Sequence, residues 1–459
     1  MTQPSGFENP EHVPHPVDDR PPAGRLVLYG LQHLLTFYAA IVVLPAIIAA
    51  GIGLSARDTA VLLSAVVFTG GIGTLIQSIG LWKIGIRLPL VLGGSSVVIG
   101  PAIAIGNAHG GGVTGLLTIY GAAVPAGLVV FLAAPLYGRL LRFFPPLVTG
   151  TVITMVGLAI LPIGVTLAGG GDASAATFGS PRNLAIAGAT VLTVVVAYRV
   201  TTGLLRSIAI LIGLVVGGVV GVVLGAVDFS GVAEARWLAF VGPFHFGWPR
   251  FDLSAVVSMS IAMIIVAVES TASFFAVGAI VGRAPDQRAV TRGVLGEGLA
   301  TMLGGAFSPL PPTTFNGNVG LVRTSNVRSR FVCAVAGVFM IVLSCLPKVA
   351  AVAAALPKAA VGGALLVLFG TIATVGIHTL SRADLSSDRN LITVAVSLGA
   401  GTVPVAQPQF FHAFPQQLQV VLKSGIVVTA LVAITLNIFF NHLGSRTRQT
   451  QDAGALAAE

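Results

Sequence analysis

Apolar sequence runs through almost the whole chain, and it is interrupted in each half by Pro, Gly and small hydroxyl residues. The interruptions are Leu88-Pro89-Leu90-Val91-Leu92-Gly93-Gly94-Ser95-Ser96 and Pro309-Leu310-Pro311-Pro312-Thr313-Thr314-Phe315-Asn316-Gly317-Asn318-Val319-Gly320. In lipid, backbone that leaves the helix is tolerated only where it is buried in protein or lines a polar cavity. Matched breaks in two halves are the mark of a cavity at mid-membrane where a transporter holds its substrate.

Only 9% of the 459 residues are charged and 55% are hydrophobic, against about 25% charged in soluble domains. A water-solvated surface cannot be built from this composition, so the chain reads as an integral membrane protein. The 57 glycines suit helices that pack closely without a hydrophobic drive between them. Cys333 and Cys345 both lie in apolar sequence, which argues against a disulfide or metal cluster and for two small core residues. No metal and no cofactor is expected. Residues 1–25 are polar and Pro-rich, without the pattern of a cleavable signal, and read as a disordered cytoplasmic tail.

Apolar runs of membrane-spanning length fall at 26–49, 58–80, 88–107, 113–136, 145–168, 183–200 and 206–226, then, after a more polar stretch at 227–252, at 253–282, 289–308, 310–325, 331–350, 358–379, 389–405 and 421–442. These make fourteen segments, seven per half, with a short tail at 443–459. With both termini inside, 18 of the 25 Lys and Arg residues fall on the cytoplasmic side, among them Arg139, Arg142, Arg446 and Arg448. The formal charge of +9 is therefore an orientation signal and not a nucleic-acid surface. Phe144-Pro145-Pro146-Leu147-Val148-Thr149-Gly150 resembles Leu356-Pro357-Lys358-Ala359-Ala360-Val361-Gly362, so the halves 26–226 and 253–442 read as repeats. An odd number of segments per repeat makes them inverted.

Glu269 is the only charged residue between Asp252 and Arg283. An acidic group at mid-membrane is unfavourable by roughly 2.5–3.5 kcal/mol on insertion scales, so it is expected to face a partner, a ligand or water. Against a structural hydrogen bond stands the sharper reading, that Glu269 binds an N–H-rich substrate and takes up a coupling proton. Glu297, in Gly296-Glu297-Gly298, either relays protons, fixes the broken segment or packs helices. Gln32 and His33 sit side by side in the first segment, so at least one is expected to face the protein interior, His33 as a structural group or a proton carrier. In the breaks, backbone groups at Ser95, Ser96, Gly317 and Asn318 offer donors and acceptors to a planar heterocycle, and each following helix points its positive end at the cavity.

Together these residues resemble the nucleobase-ascorbate transporter family (nucleobase:cation symporter 2), which includes uracil, xanthine and uric acid permeases. The resemblance rests on Leu31-Gln32-His33-Leu34, Gly93-Gly94-Ser95-Ser96 through Pro101, Glu269, Glu297 and Thr314-Phe315-Asn316-Gly317-Asn318-Val319-Gly320 followed by Ser325-Asn326. It implies an all-α membrane protein of fourteen segments in two inverted repeats, with short antiparallel strands in segments 3 and 10. It also implies a core domain (26–136 and 253–350), a gate domain (145–226 and 358–442), an elevator movement and a homodimer. By carry-over Glu269 is the main substrate carboxylate, with Ser95, Ser96, Asn316, Gly317 and Asn318 beside it; Glu269, Glu297 and His33 handle the proton; Gln32, Ser273, Thr313, Thr314 and Phe315 support the site. Three positions depart from the family pattern: Gly317 replaces Gln or Glu, Ser96 replaces a Phe, and Ser273 replaces an Asp.

The resulting expectation is a multi-pass protein of the cell membrane that imports a purine or pyrimidine base with H⁺, Na⁺ being the other coupling ion considered. One rival is an anion transporter or channel of the same fold. Another, a membrane-embedded enzyme, lacks a His-Glu-x-x-His metal motif or a nucleophilic Gly-x-Ser-x-Gly with partners.

Overall fold

A computed structural model describes residues 15–137, 143–307 and 310–442. Pro309, Arg139, Arg142, Arg446, Arg448 and the tails 1–14 and 443–459 lie outside the described residues. The first half forms α1 (Ala23–Ile52), α2 (Ala56–Ser78), β1 (Leu92–Gly94), α3 (Ile99–Ala108), α4 (Gly112–Ala133), α5 (Pro146–Ala168), α6 (Pro181–Val200), α7 (Gly203–Ser207) and α8 (Ala209–Val223). After a short helix α9 (Ser230–Glu234), the second half forms α10 (Leu253–Val281), α11 (Gln287–Phe307), β2 (Pro312–Thr314), α12 (Asn316–Ser325), α13 (Arg330–Ser344), α14 (Pro347–Ala354), α15 (Lys358–Leu380), α16 (Asp388–Ala406), α17 (Gln416–Leu422) and α18 (Gly425–Asn437).

The halves repeat one order of elements and exchange partners. As α1 and α2 pack on α13, so α10 and α11 pack on α4; α6 packs on α8 and α16 on α18; α5 and α15 pack on each other. Such exchange describes a pseudo-two-fold axis. Because that axis also swaps the antiparallel β1 and β2, it runs across the strands and reverses their direction.

Among the described residues, eight helices are long and apolar enough to cross a membrane, or nine if α13 and α14 count as one bent span. Segment 9 forms the unbroken 21-residue α11, which is too polar to count among these; the other segments expected from hydropathy are shorter because their sequences contain local helix breaks. Segments 3 and 10 give up part of their length to β1 and β2. Segment 7 divides between α7 and α8. Segment 11, expected to run straight over 331–350, turns by 82° between α13 and α14, where Leu346 precedes Pro347 in a non-helical conformation. Segment 14, expected as one helix over 421–442, breaks at Lys423–Ser424, and Ser424 Oγ caps the new start by accepting from Val427 N at 3.4 Å.

Glycines set the closest helix contacts. A Cβ on Gly71 of α2 would lie 2.7 Å from the Gly337 carbonyl oxygen of α13, and one on Gly337 3.0 Å from that of Gly71. Gly71→Val therefore forces two backbones apart and is expected to cost about 1–3 kcal/mol, read as a lower unfolding midpoint in detergent. Gly188→Ala, with nothing within 4 Å of its Cβ, is expected to leave the midpoint unchanged or raised.

A short segment before α1 folds back under the bundle. Val17 is fully buried, and Asp18 bridges Arg283 at 2.8 Å and Arg330 at 2.7 Å. Partial burial pushes the Asp18 carboxyl up, but the hydrogen bonds from Arg330 and Arg283 outweigh it and hold the group below the ordinary 3.8. A depressed carboxylate stabilises the fold above its unfolded value and loses that contribution as pH falls through its folded one, so the bridge stays closed at neutral pH.

Candidate functional site

β1 and β2 pair in the register Leu92↔Thr314, Gly93↔Thr313 and Gly94↔Pro312. Ser95 N to Pro311 O and Phe315 N to Val91 O, both 3.1 Å, extend the pairing at each end. Two broken segments thus satisfy one another's backbone, and α2 completes the accounting: Thr74 Oγ1 accepts from Leu92 N at 2.8 Å, Ser78 Oγ donates to Leu90 O at 3.0 Å, and Gln77 Oε1 accepts from Ile86 N at 3.1 Å. Gly93 lets the strand pass α1, since a Cβ there would lie 3.1 Å from Ile41 Cγ1. The free Ser95 N–H expected for a ligand is corrected by this pairing: it is spent on Pro311. Ser95 is buried and Ser96 half-buried at the entry to α3.

Two acidic helices meet this strand pair. Glu269, on α10, is 9% exposed, which places it inside the protein and not against acyl chains. Its neighbour Ser270 has Oγ 3.0 Å from Thr313 Oγ1, so α10 is pinned to β2 one residue from the carboxylate. Glu297, on α11, is fully buried. Its Oε1 accepts from Thr314 N at 3.3 Å and Thr314 Oγ1 at 3.1 Å, and its Oε2 is buried without a hydrogen-bond partner among the described residues. Ser273 Oγ donates to the Glu269 carbonyl at 3.5 Å.

Asn318, in the first turn of α12, braces the site from below. Its Nδ2 donates to Pro89 O at 2.7 Å and its Oδ1 lies 2.9 Å from His33 Nδ1. A backbone carbonyl can only accept, which fixes the amide's orientation and makes Nδ1 the protonated nitrogen of His33. The Asn318 amide, weighed from sequence as a substrate contact, is thus occupied in joining α1, the first break and the second; its N–H is also taken, by Phe315 O at 3.0 Å. The side chains of Asn316 and Gly317 lie outside the described residues. Phe315 packs edge-on against Phe37 with centroids 4.6 Å apart, and Gln32 is half-buried, its carbonyl accepting from Thr36 Oγ1.

Several residues that build the site went unnoticed in the sequence. Thr74, Gln77, Ser78 and Ser270 look like ordinary small or polar residues in apolar helices; their signal is spacing, since Thr74, Gln77 and Ser78 share one helical face. The Lys423–Ser424 break was hidden by the surrounding apolar residues. It belongs to a segment that packs on α3 and α10, and a Cβ on Gly100 would lie 3.7 Å from Ser424 Oγ.

Two discontinuous segments crossing at buried carboxyls, within a repeat of exchanged halves, define a membrane transporter. The chain belongs to the Permease family, whose profile matches residues 24–410, and this is the nucleobase-ascorbate transporter family that its motifs resemble. It is 41% identical to the Uric acid transporter UacT of Escherichia coli (strain K12), over 91% of this chain and 86% of that one. It is 37% identical to the Nucleobase transporter PlUacP of Paenibacillus larvae, over 95% and 98%, and 36% identical to the Xanthine permease of Bacillus subtilis, over 94% and 97%. Among solved structures, the transmembrane domain of the cyanobacterium bicarbonate transporter BicA matches with a TM-score of 0.55 at 15% identity, covering 90% of this chain and 98% of that one. SLC26A9 matches with 0.59 at 14%, covering 92% and 67%. These two share the fold.

Proposed function

We propose that this protein imports an oxopurine base of the uric acid or xanthine type together with a proton, across the cell membrane with both termini in the cytoplasm. The observation that carries this reading is the burial of Glu269 on α10, one residue from the Ser270 hydroxyl that meets Thr313 of β2: in this reading ring N–H groups of the base donate to its carboxylate, while strand and helix-start backbone meet the ring's edge. Relatives named for uric acid, xanthine and nucleobases at 36–41% identity support the substrate class. Glu269 and Glu297 are the proton-coupling carboxyls, and His33, tied to Asn318, positions the second break.

In this reading the chain makes fourteen segments that divide as an elevator requires. Those of residues 26–136 and 253–350 pack among themselves as a core that carries the site, and those of 145–226 and 358–442 pack around α5 and α15 as a gate. The core slides against the gate, carrying base and proton across, within a homodimer.

The testing experiment is a thermal-shift panel of uracil, xanthine, uric acid, hypoxanthine, adenine and guanine on purified protein, because a ligand stabilises the native state by mass action. At 100 times its Kd a base adds about 2.7 kcal/mol, and uric acid or xanthine is expected to give the largest shift. In proteoliposomes an acidic outside should drive accumulation of that base, a protonophore should collapse it, and removing Na⁺ should change nothing. Absence of any shift across the panel, with chloride or bicarbonate flux instead, overturns the reading.

A further inference from the structure

The geometry points to the segment His15–Arg20 as a latched water seal: it closes the end of the core on the Arg-rich side, beneath the two broken segments, so that the buried carboxyls reach the cytoplasm only through the cleft between core and gate. The placement of that side in the cytoplasm rests on the orientation proposed above.

A separate apolar cluster occupies the column between the site and that face. On α10, Phe274, Val277 and Val281 are buried at helical spacing, one continuous stripe that starts one turn beyond Ser270, the residue bonded to Thr313. Phe274 lies five residues past Glu269, about 7.5 Å along the helix. The first break supplies Leu88, Leu90 and Leu92, and α12 supplies Val322. Val17 fills the bottom of this cluster and is 0% exposed. The side chains that make up this column are apolar and offer no hydrogen bond to water, provided its open end is covered.

The cover is fastened by charge. Asp18 holds Arg283, just beyond the end of α10, through Oδ2 at 2.8 Å and Arg330, at the start of α13, through Oδ1 at 2.7 Å. Arg330 also donates through Nη1 to the carbonyls of Ser78 and Ile79, at 2.9 and 3.0 Å, at the end of α2. Ser329 Oγ donates to Asp19 O at 2.7 Å, and the His15 ring lies 3.4 Å from Gly282 O. One carboxylate thus ties together the ends of α2, α10 and α13, all in the core. A fastening confined to the core travels with it and does not oppose its sliding against the gate, which distinguishes a seal from a plug that must leave.

The test uses full-length protein lacking its own thiols (Cys333→Ala, Cys345→Ala) with a reporter Val322→Cys, buried in the cluster. A membrane-impermeant maleimide is applied to inside-out and right-side-out vesicles. With Asp18 intact the reporter is expected to label slowly from both sides; Asp18→Ala should accelerate labelling at least tenfold, from the cytoplasmic side alone, and Asp18→Glu should restore much of the protection. A second reporter, Ala360→Cys, buried in the gate, should not respond. An unchanged rate at Val322→Cys, or equal acceleration at both reporters, overturns the seal. Acceleration confined to right-side-out vesicles would overturn the orientation instead, and since no substrate is used, a failure of nucleobase uptake leaves this result readable.

Discussion

Glu269→Gln is expected to abolish measurable binding and uptake of the base while the protein still reaches the membrane. The carboxylate offers only acceptors; the amide replaces one of them with a donor that opposes the ring's N–H groups and removes the charge from the remaining bond. Hydrogen bonds to charged groups are worth about 1.5–3 kcal/mol each, so losing one weakens binding about 10- to 100-fold, and losing a pair takes it beyond detection. Folding should survive, because Gln matches Glu in shape and the Ser270–Thr313 contact that pins this part of α10 is untouched. Uptake by the variant with normal affinity and against a gradient would remove Glu269 from both substrate binding and proton coupling.

Asn318→Ala has the second large effect, and on the fold as well as on transport. One fully buried amide satisfies Pro89 O and His33 Nδ1; removing it strands a carbonyl and an imidazole N–H in the interior. Each such orphan costs about 1–3 kcal/mol, so a loss of about 2–6 kcal/mol in stability is expected, seen as reduced expression and a lower unfolding midpoint. Asn318→Asp keeps the acceptor for His33 but offers the Pro89 carbonyl no donor unless it is protonated, and is expected to fall between the two. An unaltered midpoint in Asn318→Ala would show that the amide does not brace the two breaks.

Much of this architecture was legible in the sequence because lipid makes backbone satisfaction compulsory. Pro89, Pro311 and Pro312 remove N–H groups, Gly93 and Gly94 remove Cβ atoms, and a chain so interrupted cannot remain helix; the strands of segments 3 and 10 follow the breaks, although their pairing was implied only by the family resemblance. Glu269 was legible for the same reason: a single acidic residue in some thirty otherwise uncharged positions needs an interior destination, and it has one.

What escaped the sequence is what hydropathy averages away. Lys423–Ser424 interrupts segment 14 without Pro or Gly clusters to announce it, and the turn after Ser344 hides in apolar sequence because Leu346 and Pro347 cost little in a window of twenty. The division of labour among the polar residues was also out of reach, since it depends on which atoms meet. Ser95 N–H and the Asn318 amide have the chemistry of ligands for a heterocycle, yet strand pairing and the His33 bridge consume them. The strap before α1 read as part of a disordered tail on composition; its Asp18 finds Arg283 and Arg330 only after α10 and α13 have been brought together.

The most direct test of the central claim is a structure of the purified protein with the base that gives the largest thermal shift. The account predicts the ring lying between α10 and the β1–β2 pair, with ring N–H groups within hydrogen-bond distance of the Glu269 carboxylate and backbone of the two breaks along its edge. A base bound elsewhere, with Glu269 turned from it and the strand pair bare, would contradict it.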